Sequence, residues 1–154
     1  MVGVIIVLGT AAVVASRSNK DVKGSGPQLG DHWHAAVGVN ICGTWQPNVP
    51  EYHNAVGVHS HGDGLMHMHP TSTAGTGSRA NLGLYLGDAG PDYDIGAKVV
   101  EFLSKRYKDG DPCPDGKKAS VRWSVNGKVR TGDPSKFVPN DGDVVAIAFL
   151  PEGR

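Results

Sequence analysis

The sequence predicts an α+β domain: an antiparallel or mixed sheet with one main helix packed on it. Three observations carry that expectation. Glycine (22) and proline (10) are abundant while aromatics make up 6% of the 154 residues, which suits a loop-rich, strand-based domain better than a helical bundle. Apolar residues alternate with polar ones at 33–41 and 121–125, and run almost unbroken at 144–150. One stretch, 94–108, places Ile95, Val99, Phe102 and Leu103 on a single helical stripe. At this length the chain is one modest domain plus its ends, long enough to bury a core.

The chain opens with fifteen uncharged, mostly apolar residues, 1–15, expected to act as a signal or membrane anchor. Val13 and Ala15 before Ser16 would pass as a cleavage site. Arg17, Lys20 and Lys23 follow the run rather than precede it, which leaves a start upstream open. Residues 16–30 read as a flexible tether and 31–154 as the single folded domain. Fifteen basic and fifteen acidic residues cancel, and no basic run marks a nucleic-acid partner. In an exported protein Cys42 and Cys113 are expected to pair, closing a loop of about 70 residues worth roughly 4 kcal/mol.

Trp33, Ala35, Val37, Val39 and Ile41 share one face of the first expected strand, and His32 and His34 share the other. Residues 43–55 hold Pro47 and Pro50 and read as a loop. A histidine-rich hairpin follows at 56–70, with Gly62-Asp63-Gly64 as a three-residue loop. That loop sets His59 opposite His67, His61 opposite Leu65 and Gly57 opposite His69. The histidines then share one face, and Val58, Met66 and Met68 the other. Gly75-Thr76-Gly77 lacks the lysine and the preceding strand of a phosphate-binding loop. Leu82, Tyr85 and Leu86 suit a short helical turn. The main helix is expected at 94–108, capped by Asp92 or Asp94, with Lys105, Arg106 and Lys108 at its end. Val121, Trp123 and Val125 lead into Asn126-Gly127, a strong hairpin turn, and Val144 to Leu150 reads as a central strand buried on both faces.

All seven histidines fall between residues 32 and 69, six of them in His-x-His pairs. Neutral imidazole is the commonest side-chain ligand for zinc and copper, and residues i and i+2 of a strand point the same way. His32, His34, His59, His61, His67 and His69 are therefore the expected ligands of a transition-metal ion, at one site or two. Met66 and Met68 alternate with the histidines and point into the core. His53, unpaired in a loop, reads as an ordinary surface histidine. Asp63 is first a turn former and second a ligand. No catalytic or organic-cofactor residue stands out.

His59-Ser60-His61-Gly62-Asp63 resembles the opening of the metallo-β-lactamase metal motif. Gly64 replaces the histidine that follows there, and the chain is too short for that fold. A cupin-like site lacks its glutamate. Together, His32-Trp33-His34, His59-Ser60-His61-Gly62-Asp63, His67-Met68-His69 and Leu82-Gly83-Leu84-Tyr85 resemble an uncharacterised family of extracytoplasmic prokaryotic proteins. Those carry an N-terminal anchor, and the resemblance covers about residues 31–90. Where that family has an acidic residue after the last histidine, this chain has Pro70. Val125-Asn126-Gly127-Lys128 and Asp141 to Ile147 resemble the closing strands of β-grasp proteins such as sulfur carriers. This implies a β-grasp-like C-terminal half, 94–151. The chain ends Pro151-Glu152-Gly153-Arg154, not in the Gly-Gly that sulfur-carrier chemistry needs.

The expected function is extracytoplasmic zinc or copper binding by a protein held at the membrane through residues 1–15, or secreted. The alternatives are a metal-dependent, hydrolase-like enzyme with an open three-histidine site and a structural or partner-binding domain of a membrane complex.

Overall fold

The computed structural model describes residues 26–153, so the hydrophobic segment 1–15 and residues 16–25 of the tether lie outside the described residues. Among the described residues no helix is long and apolar enough to cross a membrane. Ordered packing begins ahead of Asp31: Pro27 is fully buried and its carbonyl accepts the Gly77 N–H.

The chain forms β1 (Trp33–Ile41), β2 (Thr44–Trp45), β3 (Val58–His59), β4 (Leu65–Met68), α1 (Leu82–Asp88), β5 (Asp94–Gly96), β6 (Val99–Phe102), β7 (Lys105–Lys108), β8 (Ala119–Val125), β9 (Lys128–Arg130) and β10 (Val144–Pro151). The main sheet is mixed, in the order β3-β4-β1-β10-β8-β9, with β2 on the end of β1. β1 and β10 run parallel at its centre, and the other neighbours are antiparallel. A second, antiparallel sheet holds β5, β6 and β7.

The alternation expected of β1 is present. Ala35, Val37, Val39 and Ile41 are buried with Val145, Ile147 and Phe149 of β10 and Trp123 and Val125 of β8. β10 takes the central place expected of it, but buries alternate residues rather than both faces: Val145, Ile147, Phe149 and Pro151 are buried and their neighbours half-buried or exposed. Asn126 (φ 52°) and Gly127 (φ 75°) make the expected two-residue turn between β8 and β9, both central residues having positive φ.

The expected helix at 94–108 is not there. Three short strands replace it, joined by two-residue turns at 97–98 and at Leu103-Ser104, where φ is 53° and 63°. Val99 and Val100 are β-branched and favour extended backbone. The buried set is Ile95, Val100 and Phe102, while Leu103 of the supposed helical stripe is exposed. Lys105, Arg106 and Lys108 do not close a helix. They sit on β7, where Arg106 reaches across to Glu101 at 2.6 Å and Asp94 at 3.3 Å. Among the described residues the one α-helix is α1, at the Leu82–Leu86 turn, with Asn81 capping it through the Leu84 N–H.

Cys42 and Cys113 are joined by a disulfide, with Cα atoms 5.6 Å apart, tying the end of β1 to the loop beyond β7.

Candidate metal centre

The site is a strip of imidazoles on one face of the sheet, across β1, β4 and the edge strand β3. Pairing of β1 with β4 sets His34 opposite His67. Pairing of β3 with β4 sets His59 opposite His67. The strip extends one segment further, because Tyr52 and Ser60 form an antiparallel bridge. Their neighbours then face each other, His53 toward His59 and Glu51 toward His61. Ring centroids confirm a continuous row across four segments: His53–His59 at 5.2 Å, His59–His67 at 5.5 Å and His67–His34 at 4.6 Å. His61 flanks this row on one side, and His69 and His32 on the other, their two rings 3.7 Å apart.

The hairpin keeps the expected register, with Val58 opposite Met68 and the Gly57 carbonyl accepting the His69 N–H at 2.7 Å. Val58, Met66 and Met68 are fully buried beneath it, so neither methionine reaches the histidine face. The loop is longer than three residues. After His59 the chain leaves β4 to bridge Tyr52, and the Ser60 hydroxyl donates to the Val49 carbonyl. Gly62 (φ 76°) and Gly64 (φ 86°) supply its left-handed turns.

Two supports hold the hairpin from the core side. The Tyr85 hydroxyl of α1 donates to the Leu65 carbonyl, and the Tyr52 hydroxyl donates to the Tyr85 carbonyl. Burial pushes the Tyr85 hydroxyl up to about 12 and raises Tyr52 further, so both remain donors at neutral pH. The second support is Asn54, whose side-chain oxygen accepts the N–H groups of Val56, Gly57 and Val58. That knot folds the chain back so that His53 returns beside His59.

Among the described residues, three groups of side chains bring donor atoms within 4.8 Å of one another: His32, His34 and His69; His59, His61 and His67; and Glu51, His53 and His61. All six paired histidines are thus gathered, three to a group. His53, read from sequence as an isolated surface residue, joins them together with Glu51. No local pattern announces this, because the segment meets the hairpin only through the single long-range bridge between Tyr52 and Ser60.

The spacing inside the groups bears on two explanations. His59 Nε2 and His61 Nε2 lie 3.3 Å apart, and His34 Nε2 and His69 Nε2 lie 3.4 Å apart. Both lie at the long end of the hydrogen-bond range. Two nitrogens bound tetrahedrally to one ion at typical metal–nitrogen lengths stand roughly 3.3 Å apart. His67 adds a second indication. Its Nε2 is 2.9 Å from Asp63 Oδ2, while its Nδ1 is buried without a hydrogen-bond partner. Burial raises the Asp63 carboxyl, but hydrogen bonds from the Leu65 N–H and from His67 outweigh it and hold the group below the usual carboxylate range. An ionised carboxylate only accepts, so Nε2 carries a proton, and in the neutral form of a ring held this way Nδ1 is a bare lone pair. Asp63 therefore fills its expected turn role and orients His67, and is not among the grouped donors.

Electrostatics keep several rings neutral and ready to bind. Burial, with the neighbouring His32, His59, His34 and His67, lowers His69 to about 4. Burial and adjacent histidines lower His34 and His59 as well. These groups can hold a metal ion.

Compared with protein-family models, curated proteins and solved structures, the chain matches none.

Proposed function

We propose that this protein binds zinc or copper through two adjacent three-histidine sites, one of His32, His34 and His69, the other of His59, His61 and His67. The observation that carries the reading is the gathering of the six paired histidines into two groups of three whose donor atoms lie within 4.8 Å of one another, with Nε2–Nε2 separations of 3.3 Å and 3.4 Å that suit a shared tetrahedral ion. An all-imidazole donor set suits zinc and copper and disfavours magnesium or calcium, which take oxygen. The Cys42–Cys113 disulfide supports an extracytoplasmic location, reached through residues 1–15 as a signal or anchor. Within 94–151, the antiparallel pairing of β8 with β10 and the Asn126-Gly127 turn into β9 support the β-grasp-like reading of the C-terminal half.

Native mass spectrometry of the zinc-loaded and copper-loaded domain after mild dialysis tests the reading. Retained ions are expected, with the His59→Ala/His61→Ala double variant losing one of them. A wild-type domain that takes up neither metal above about micromolar affinity overturns it.

One feature favours a second reading. Each histidine group stops at three ligands, the donor count of catalytic zinc sites with an open position. A metal-dependent, hydrolase-like activity would then use Glu51, the exposed carboxylate grouped with His53 and His61. Hydrolysis of an activated ester by the zinc-loaded protein, abolished in Glu51→Gln, distinguishes it from binding alone.

A further inference from the structure

We propose that Glu51, His53 and His61 form an exposed loading site, from which an ion passes to the His59–His61–His67 site, two of whose ligands are buried, with His61 bound throughout. The inference rests on the metal-binding reading and adds a route to it. The bridge between Tyr52 and Ser60 brings Glu51 and His53 against the histidine hairpin. His53 Nε2 lies 3.4 Å from Glu51 Oε1, and a nitrogen of His61 completes a group within 4.8 Å. Exposure grades across the shared ligand: the His53 and Glu51 side chains are 61% and 65% exposed, whereas His59 and His67 retain 9% and 7%.

His61 opens the inner group to solvent while His59 and His67 lie buried behind it, so an ion reaching all three nitrogens must shed its waters stepwise as it moves inward. An exposed carboxylate beside two imidazoles meets it halfway. Glu51 supplies negative charge that draws the cation in and an oxygen that replaces a water easily. The replacement of Glu51 and His53 by His59 and His67 then exchanges an oxygen-containing donor set for an all-nitrogen one. Zinc and copper favour the second set, so transfer runs inward. A neutral imidazole has one lone pair, so His61 serves one ion at a time. The loading site and the inner site are consequently never filled together.

The test is stopped-flow transfer of zinc from a fluorescent chelator to the full chain, comparing wild type with the Glu51→Gln/His53→Ala variant and each single change. The variant is expected to take up zinc about tenfold more slowly, while its equilibrium affinity stays within about threefold of wild type. Zinc titration should saturate at two ions per chain rather than three, because two of the three groups share His61. An unchanged uptake rate overturns the loading role. So does a loss of affinity as large as the loss of rate, which would make Glu51 and His53 plain ligands, or saturation at three ions. Wild-type protein that binds no zinc removes the binding reading itself, a result separable from all of these.

Discussion

Asp63 and His67 form a carboxylate–imidazole pair 2.9 Å long, and the pair leaves the opposite nitrogen of the ring buried and unpartnered. Partners of this kind fix the tautomer and orientation of metal-binding histidines, and losing them typically costs 10- to 100-fold in affinity. Asp63→Asn keeps an acceptor for the Leu65 N–H but removes the charge, and should weaken zinc binding about tenfold; Asp63→Ala should weaken it about 100-fold. Competition titration against a chelator measures both. Equal affinity in all three proteins would reduce Asp63 to a turn former.

Gly57 is the position where the hairpin tolerates least change. Its φ is +84°, and an added Cβ would stand 2.0 Å from the His69 carbonyl oxygen. Both the left-handed backbone and the close approach of β3 to β4 require glycine. Gly57→Ala should lower unfolding free energy by about 2 kcal/mol and loosen the site containing His69. Urea unfolding reads the first effect, and a stable, fully zinc-competent Gly57→Ala protein would contradict the packing described.

The imidazole strip makes the metal-free protein acid-sensitive. His69 titrates near 4 in the folded chain against an ordinary value of 6.5, and His34 and His59 are lowered in the same direction. Between those limits the unfolded chain binds more protons than the folded one, so stability is complete above pH 6.5 and declines as pH falls toward 4. Thermal melts in chelator should show Tm falling across that window, and less steeply in His69→Gln. A flat profile would mean the rings are not crowded as described.

The site was more legible in the sequence than the fold around it. His-x-His spacing on alternating backbone puts both rings of a pair on one face, and Gly62-Asp63-Gly64 allowed the register that sets His59 against His67, while the division into groups was left open. Residues 94–108 were opaque because Ile95, Val99, Phe102 and Leu103 fit a helical period, while Val100 and Phe102 equally fit a strand. Two tight turns decided the matter, and Leu103-Ser104 carries no glycine or asparagine to announce a positive φ. His53 was missed for a different reason. Its neighbours are set by Asn54, whose three accepted N–H groups depend on a turn that no local pattern specifies.

The Cys42–Cys113 link and the metal centre should prove energetically separate. The disulfide closes a sequence separation of 71, for which chain-entropy reasoning gives roughly 4 kcal/mol of stabilisation. Cys42 lies beyond the far end of β1 from His34, eight residues away along extended backbone or roughly 26 Å. Replacing both cysteines by serine should therefore shift the urea midpoint strongly downward, while zinc affinity measured well below that midpoint stays at the wild-type value. Loss of zinc binding in a variant that still melts cooperatively would show that the disulfide sets the geometry of the histidine strip, and would tie the two ends of β1 into one unit.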